Sequence, residues 1–555
     1  MDDGRVKVTK FQVKTVDCDL LCVGGGIAGL MSAIRTSELG VNVIVADKAN
    51  TLHSGSGSSG NDHFQCYIPE FHGQDTEAVS EEYLHAPIAR ARTSFAKPWL
   101  ERSFDVVKLW NGWGIPMKYK GGWEFAGHAL PGRPRIWLKY AGGNQKEVLT
   151  TQALKRGVQI MNRTTVFELL KDGGTVIGAL GFDTWNNQVI VFQAKAVFIG
   201  TGGVERLYPS STPALFTNTP MFPFNTGDGR AMVYRAGGEL CNMEYASPWA
   251  GPKYYARAGK ATWIGVLRTA DGRPVGPFIT KPDKVYGDIT SDSWPSVFDD
   301  YMGSGRGPVY MDCTGASDED IEYMFYWLRH EGNNGLLDHM AEEGIDPRKH
   351  AIEFRTYGLG VRGGVLFDVE GRTTVDGLYS AGDEYGGGMA NSAIWGWIAG
   401  ETAAKEIKGR EIGNTRLLRE KIDEKSALLD SIIGRETGAT WQEANMALQY
   451  IMSEYAGWIR SETLLDQGLR NLSRLKEKAL KTISARNGHE LGRCLEVLNL
   501  LDNGEMVMLC AKERRETRGR QNRTDYPFAN PLLDRVLAIK KEDEKPVLVW
   551  KGKEL

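Results

Sequence analysis

Residues 19–47, DLLCVGGGIAGLMSAIRTSELGVNVIVAD, decide the fold of this chain. The apolar run 20–23 has the composition of a short buried strand, and the glycine turn 24–29 follows it directly. Apolar residues then recur at helical spacing as far as Gly40, and a second apolar run ends in Asp47. Strand, glycine turn, helix, strand and acid, in this order, predict one complete βαβ unit.

The glycine turn has the spacing of a turn that binds a dinucleotide. Gly24 permits a tight turn out of the strand, Gly26 lets the backbone approach a pyrophosphate, and Gly29 allows the helix to pack closely on the sheet. The helix that follows presents N–H groups and a partial positive charge to the phosphates. Asp47 is placed to accept a hydrogen bond from a ribose hydroxyl.

The composition excludes several classes of protein. Glycine accounts for 66 of 555 residues, or about 12%, whereas about 7% is usual. This excess indicates many tight turns and close backbone approaches. The formal net charge of −3 leaves no basic field for nucleic acid or an anionic membrane. The seven cysteines form no C-x-x-C pair, and we find no metal-ligand set. With no apolar leader and no apolar run of roughly 18 residues, we expect a cytoplasmic protein.

Patterns elsewhere predict further domains. Buried-strand runs reappear between residues 174 and 200 and between 364 and 382, and each ends in glycines. The intervening stretch is dense in aromatic residues, prolines and turn dipeptides, which is typical of an inserted domain. After residue 411 the pattern is helical, and Thr440 and Glu443 have the spacing of a capping box.

We therefore predict an α/β fold with a Rossmann-like dinucleotide-binding domain, an inserted α+β capping domain and a C-terminal helical domain. The predicted limits are 1–244 and 355–410 for the two parts of the dinucleotide-binding domain, 245–354 for the capping domain, 411–520 for the helical domain and 521–555 for a tail that wraps over the surface. Because the βαβ unit begins near the N-terminus and glycine clusters recur far downstream, FAD is favoured over NAD.

Six further motifs carry a family resemblance. They are residues 53–60 (HSGSGSSG), 200–203 (GTGG), 225–229 (NTGDG), 377–384 (GLYSAGDE), 391–392 (NS), and 516–520 (ETRGR) before 525–527 (DYP). With the first turn, their order and spacing resemble the fumarate reductase/succinate dehydrogenase flavoprotein family along nearly the whole chain. The closest resemblance is to the adenylylsulfate reductase alpha-subunit-like branch.

The resemblance implies how FAD is bound. The loop from Ser54 to Gly60 would run beside the flavin ring, where larger side chains would clash. Asp228 would meet the ribityl or pyrophosphate region, and Glu384 would bond adenosine or ribityl hydroxyls. A helix opening at Asn391 would point its N-terminus at the flavin pyrimidine, where its dipole stabilises the reduced anion. The implied cofactor-binding residues are Gly24, Gly26, Ile27, Ala28, Gly29, Asp47, Lys48, Ser54, Gly55, Ser59, Gly60, Asn61, Val166, Thr201, Gly202, Gly203, Asp228, Gly382, Asp383, Glu384, Asn391, Ser392 and Ile394.

The substrate motifs of fumarate and succinate enzymes are missing. Arg355 opens the sequence RTYG where the family has His-Tyr-Thr, and the glycine loop 386–388 lacks the family's arginine. A dicarboxylate pocket without these donors would bury uncompensated charge, which argues against that chemistry.

Four residues are the predicted catalytic candidates. Arg355 and Arg362 could hold an anionic group or supply a proton, and the alternative for each is an ordinary ion pair. Lys253, with Arg257 nearby, begins the inserted domain where the adenylylsulfate reductase pattern has an arginine; the alternative is a solvated basic patch. His63 follows the flavin loop and could face the ring.

The resemblance implies an FAD-dependent oxidoreductase, the catalytic flavoprotein subunit of an electron-transfer complex, acting on a small anionic substrate. One alternative is a reductase or dehydrogenase of an unsaturated or cyclic organic acid, and another is a non-catalytic flavin electron relay. Family members pair with a ferredoxin-like iron–sulfur subunit, and this chain carries no cluster motif of its own. Five arginines near the C-terminus, Arg514, Arg515, Arg518, Arg520 and Arg523, are a candidate docking element, with a solvated surface as the alternative.

Overall fold

The computed structural model describes residues 11–554 apart from 86–92, 128, 211, 213–215, 254, 256–261, 277–278, 288 and 385–387. Arg257 and most of the glycine loop 386–388 therefore lie outside the described residues. The α-helices of the described part are α1 (Ile27–Glu38), α2 (Pro69–His72), α3 (Glu77–His85), α4 (Ala96–Trp113), α5 (Gln145–Lys155), α6 (Asp228–Arg235), α7 (Thr290–Ser293), α8 (Val297–Gly303), α9 (Asp318–His330), α10 (Asn334–Glu342), α11 (Met389–Glu406), α12 (Arg419–Ile433), α13 (Trp441–Ala456), α14 (Glu462–Thr482) and α15 (Gly488–Glu513). The strands are β1 (Gln12–Val23), β2 (Val43–Ala46), β3 (His63–Gln65), β4 (Trp137–Lys139), β5 (Gln159–Met161), β6 (Thr164–Asp172), β7 (Thr175–Asp183), β8 (Gln188–Ile199), β9 (Leu240–Cys241), β10 (Ala246–Pro252), β11 (Val266–Thr269), β12 (Val309–Asp312), β13 (Ile352–Val361), β14 (Gly364–Val365), β15 (Leu378–Ser380), β16 (Val536–Glu542) and β17 (Lys545–Lys551).

The βαβ unit predicted from residues 19–47 is confirmed as β1, α1 and β2. The two strands are parallel, with Leu20 opposite Val43. Gly24 has a φ of +95°, and a Cβ there would lie 2.4 Å from the carbonyl oxygen of Gly200. At Gly29 a Cβ would lie 1.8 Å from the carbonyl oxygen of Gly24, so the helix reaches this distance from the strand only with glycine.

The main sheet has seven strands in the order β5-β2-β1-β8-β7-β6, with β15 also paired to β8. The strands β5, β2, β1, β8 and β15 are parallel to one another, whereas β7 is antiparallel to both β6 and β8. The carboxyl ends of β1, β2, β8 and β15 therefore meet at one edge of the sheet. This edge is where open α/β sheets bind their ligands.

The inserted region forms its own four-stranded antiparallel sheet, in the order β10-β13-β12-β11. Its core contains Trp263, Phe298, Met311 and Met324, together with residues of the helices α8 to α10. The strand β13 reaches Val361, beyond the predicted domain limit at residue 354, because it pairs with β10 and β12.

The C-terminal region is helical from α12 to α15, and the predicted capping box is present at the start of α13. Thr440 N donates to Glu443 Oε2 at 2.8 Å, and Glu443 N donates to Thr440 Oγ1 at 3.3 Å. The segment 521–555, which was predicted to wrap over the surface, contributes strands to a sheet of the core. Its strand β16 pairs with β9 through Ile539 and Leu240, and it buries an apolar face in the core. The described helices include none long and apolar enough to span a membrane.

Candidate functional site

A cavity of about 420 Å³ opens at the carboxyl edge of the main sheet. Most of the predicted cofactor-binding residues line it: Gly24, Gly26, Ile27, Ala28, Asp47, Lys48, Ser54, Gly55, Gly60, Asn61, Val166, Thr201, Gly202, Asp228, Asn391 and Ser392. Gly29, Ser59, Gly203, Gly382, Glu384 and Ile394 are not among the lining residues, and the side chain of Asp383 lies outside the described part of the chain. The cavity thus brings together segments that are far apart in the sequence, as an extended dinucleotide requires.

Two helix N-termini point into this cavity. Gly26 is the N-cap of α1 and Gly388 is the N-cap of α11, and both residues line the cavity. Neither helix has a side-chain cap or an acidic residue in its first turn. Since the first N–H groups of a helix have no partner within the helix, each end favours an anion. Such ends suit the diphosphate and the pyrimidine edge of FAD.

The carboxylate of Asp47 is held rigidly beside the glycine turn. Its Oδ2 accepts hydrogen bonds from Gly25 N at 2.8 Å and Ser54 Oγ at 3.1 Å, and its Oδ1 accepts one from Ala49 N at 2.8 Å. On the other side of the turn, the buried ammonium group of Lys146 donates to the carbonyl oxygen of Gly25. Burial lowers the pKa of Lys146 to about 8. Sequence reasoning missed Lys146, because its position in α5 carries no motif.

Behind Lys48, a cluster of charges joins the dinucleotide domain to the helical domain. Lys48 Nζ lies 2.7 Å from Asp228 Oδ2 and 2.9 Å from Glu496 Oε1. Glu496 also pairs with Arg206 and Arg493, both at 2.5 Å. Burial opposes the ionisation of Glu496, but these three cations outweigh it and lower its pKa to about 2. The helix α15 therefore fixes side chains that line the cavity.

Glu384 lies behind the cavity wall. Its Oε1 accepts hydrogen bonds from Thr201 N at 2.5 Å and from Thr201 Oγ1 at 2.6 Å, and its Oε2 is 4.0 Å from Arg230 Nε. Burial raises the pKa of Glu384 to about 7. Glu384 thus positions Thr201, which itself lines the cavity, rather than facing the cavity as the resemblance implied.

At the capping-domain end of the cavity, two arginines converge on one serine. Arg520 Nη1 donates to Ser247 Oγ at 2.6 Å, and Arg362 Nη2 lies 3.4 Å from the same oxygen. The guanidinium carbon of Arg362 is 4.4 Å from the ring centroid of Trp249. All four residues line the cavity. Two guanidinium groups at one point of a concave wall form a site for an oxyanion.

Two other predicted substrate residues, Arg355 and Lys253, do not line the cavity. Arg355 is half-buried outside the cavity lining, with its Nε 3.4 Å from the carbonyl oxygen of Thr356. Lys253, also outside the lining, pairs with Glu353 at 2.7 Å. Of the arginines predicted to dock a partner, Arg514 and Arg523 are buried within the chain's own core. The ETRGR motif that contains Arg520 was the signal that could have placed it in the site.

His63 lines the cavity and belongs to a buried polar network. Its Nδ1 lies 2.5 Å from Asp62 Oδ1, and its ring is edge-on to Trp137 at 5.1 Å. Asp62, His63 and Glu331 each offer one atom within 4.8 Å of the others, a grouping that could hold a cation. Lys139 Nζ, at 2.6 Å from Asp62 Oδ2, opposes a cation there because it already supplies a positive charge.

Comparison with known proteins relates the chain to FAD-binding proteins. The FAD binding domain model matches residues 19–393, and the fumarate reductase flavoprotein C-terminal model matches residues 445–549. The chain is 23% identical to a subunit of the fumarate reductase (CoM/CoB) of Methanothermobacter marburgensis, over 95% of this chain and 98% of that one. It is 26% identical to L-aspartate oxidase of Yersinia pestis, over 70% of this chain and 73% of the oxidase.

The fold agrees with these matches. Adenylylsulfate reductase of Archaeoglobus fulgidus superposes with a TM-score of 0.86 at 22% identity, covering 100% of this chain and 98% of that one. The predicted α/β fold with its inserted and helical domains, the family and the FAD cofactor are thereby confirmed. The chain belongs to the FAD-binding flavoproteins of the fumarate reductase/succinate dehydrogenase family, and it is an FAD-dependent oxidoreductase.

Proposed function

We propose that this chain is the catalytic flavoprotein subunit of an electron-transfer complex and exchanges two electrons with a small substrate held through its oxyanion group. The observation that carries this proposal is the convergence of Arg362 and Arg520 on Ser247 at the cavity wall. When bound, FAD supplies or accepts the electron pair.

The chain's own residues bind and orient both molecules. The N-terminus of α1 and the turn at Gly26 hold the diphosphate, and the N-terminus of α11 stabilises negative charge on the flavin. Arg362 and Arg520 hold the anionic end of the substrate, and Trp249 covers it and limits the entry of water. Positioning of this kind makes the reaction effectively unimolecular.

The converging arginines favour a substrate enzyme over a flavin electron relay. A relay needs no anion site next to the flavin. Two guanidinium groups on one concave wall can both donate hydrogen bonds to a single oxyanion, which suits a bound substrate. The oxyanion group itself is shared by carboxylates, sulfite and adenylylsulfate. The three relatives named above differ in the substrates that their names imply, so the choice among these substrates rests on experiment.

The test is photometric. The holoprotein is reduced chemically, and reoxidation of the flavin is followed with fumarate, other unsaturated acids and adenylylsulfate; the oxidised protein is then mixed with succinate, aspartate, and sulfite plus AMP. We expect one of these compounds to react and the variant Arg362→Met to lose that reaction, whereas the matched control Arg355→Met keeps it. A flavin that responds to viologen but to no oxyanion would contradict the proposal and favour the relay.

We also propose that an iron–sulfur subunit exchanges single electrons with the flavin, because the family resemblance implies one and the chain has no cluster motif of its own. Purification of the native complex tests this directly: the partner should carry visible iron–sulfur absorbance. A cytoplasmic location also remains a prediction.

A further inference from the structure

Lys146 is a buried cation directly behind the glycine turn. The residue is 3% exposed, and its ammonium group donates to the carbonyl oxygen of Gly25. That carbonyl group is a neutral acceptor, and burying an ammonium group is costly unless an opposing charge lies near it. Lys146 is not among the residues that line the cavity, so it does not face a substrate there. What has to be explained is the charge that balances it.

The described part of the chain balances the charge of Lys146 only in part. The carboxylate of Asp47 favours the ammonium form, but burial outweighs it and lowers the pKa of Lys146 to about 8. Asp47 already accepts three other hydrogen bonds. The neighbouring elements add no acid: α1 has none in its first turn, the loop 53–60 holds only glycine, serine and the exposed His53, and Glu147 of α5 points to solvent.

The glycine turn connects Lys146 to the cavity through one peptide group. The carbonyl oxygen of Gly25 accepts from Lys146, and the N–H of the same peptide belongs to Gly26, the N-cap of α1, which lines the cavity. A cation on the carbonyl oxygen polarises the peptide and strengthens its N–H as a donor. A Cβ at Gly25 would lie 2.4 Å from Thr51 Cγ2, whereas a Cβ at Gly26 would have its nearest neighbour at 3.7 Å. The turn is thus packed from behind and open towards the cavity.

We propose that Lys146 is a positioning residue for the cofactor and that its ammonium group, acting through the Gly25–Gly26 peptide, is the buried countercharge of the FAD diphosphate. This role concerns the cofactor alone and is independent of the substrate. The diphosphate brings the negative charge that the folded chain provides only in part. Because buried charges are screened little by solvent and salt, FAD and the proton on Lys146 each favour the binding of the other.

The pH dependence of FAD binding follows from this coupling. Near pH 7, Lys146 carries its proton with or without FAD, so its protonation does not change on binding. Because burial lowers the pKa of Lys146 to about 8, the FAD-free protein loses this proton above pH ~8, whereas the FAD-bound protein keeps it. Each FAD that binds then takes up a proton, and the dissociation constant rises about tenfold per pH unit. Tyr140, which donates to Gln145 beside Lys146, stays neutral because burial raises its pKa well above its usual value.

The test measures FAD affinity as a function of pH. Holoprotein is diluted stepwise at constant ionic strength between about pH 7 and pH 9.5, and the released FAD is read from its fluorescence. We expect the wild-type dissociation constant to rise by about thirtyfold over this range. In Lys146→Met it should be about tenfold to hundredfold higher than in the wild type at pH 7 and nearly constant with pH. Lys155→Met, at an exposed position of the same helix, is the matched control and should behave as the wild type.

A second variant separates charge from packing. Arginine stays charged over this range, so Lys146→Arg should bind FAD more tightly than Lys146→Met and show no rise with pH. Burial also raises the pKa of Glu384 to about 7, so the rise must persist in Glu384→Gln. A wild-type dissociation constant that is constant with pH, or a rise that survives in either Lys146 variant, would overturn the proposal and leave the proposed function standing. The wild-type profile and Lys146→Arg decide the matter even if Lys146→Met does not fold.

Discussion

Arg520 donates a 2.6 Å hydrogen bond to Ser247, so a residue near the C-terminus completes the wall of a cavity built by the first βαβ unit. Ser247 is 2% exposed, which means that this contact is shielded from water. A hydrogen bond to a charged group in such a place is worth more than one at the surface. The Arg520 side chain is therefore expected to contribute to anion binding at this wall.

Arg520→Met should weaken the binding of small oxyanions. The methionine keeps most of the apolar stem but removes a charged donor worth roughly 1.5–3 kcal/mol, which corresponds to about a tenfold to hundredfold rise in the dissociation constant. The measurement is the perturbation of flavin absorbance by malonate and by sulfate. Arg355→Met, outside the cavity lining, should bind both as the wild type does. Equal affinity in the Arg520 variant would remove this residue from the anion site.

Gly29→Ala should abolish FAD binding. The added Cβ would lie 1.8 Å from the carbonyl oxygen of Gly24, so α1 must shift away from the strand and its N-terminus would no longer meet the diphosphate. The flavin content of the purified protein, read from its absorbance, gives the result. Gly112→Ala is the matched control, because a Cβ at Gly112 meets nothing within 4 Å. A yellow Gly29 variant with full occupancy would disprove the predicted role of this turn.

Glu496→Gln should destabilise the protein near neutral pH. Its folded pKa of about 2 lies below the unfolded value of about 4.3, so the stabilisation is present above pH ~4.3 and is lost as the pH falls through 2. The shift corresponds to roughly 3 kcal/mol for this buried group. The midpoint of thermal unfolding should fall by several degrees at pH 7 and by less near pH 3. Glu477→Gln, which removes an exposed pair with Lys481, should change it little at either pH.

Glu384→Gln should stabilise the protein near neutral pH, in contrast to Glu496→Gln. The raised pKa of about 7 means that the folded protein favours the protonated acid, so ionisation destabilises it increasingly from pH ~4.3 up to 7, and fully above 7. A neutral amide can still accept from Thr201 through its oxygen. The variant should therefore unfold at a higher temperature than the wild type at pH 8 and at a similar one near pH 4. A variant less stable at pH 8 would show that Arg230 keeps the carboxylate charged.

Local geometry explains why the first βαβ unit could be predicted from sequence. Gly24, Gly26 and Gly29 act through backbone conformation and close approach within a few residues, and that requirement is visible in their spacing. The capping box at Thr440 is equally local. The substrate end of the cavity was harder to predict, because Arg355 stands at the family's histidine position yet lies outside the lining. A one-dimensional motif does not show which way a strand turns its side chains.

The sequence by itself determined the flavin-binding architecture, since glycine spacing and apolar periodicity are short-range properties of the backbone. The tertiary structure decided which charged side chains meet. Arg362 and Arg520 converge on Ser247, and Asp62 accepts hydrogen bonds from Lys139 and Thr262, only because segments that are far apart in the sequence fold together. Contacts between such distant segments depend on packing that no local pattern encodes, and the chemistry of this protein is built from them.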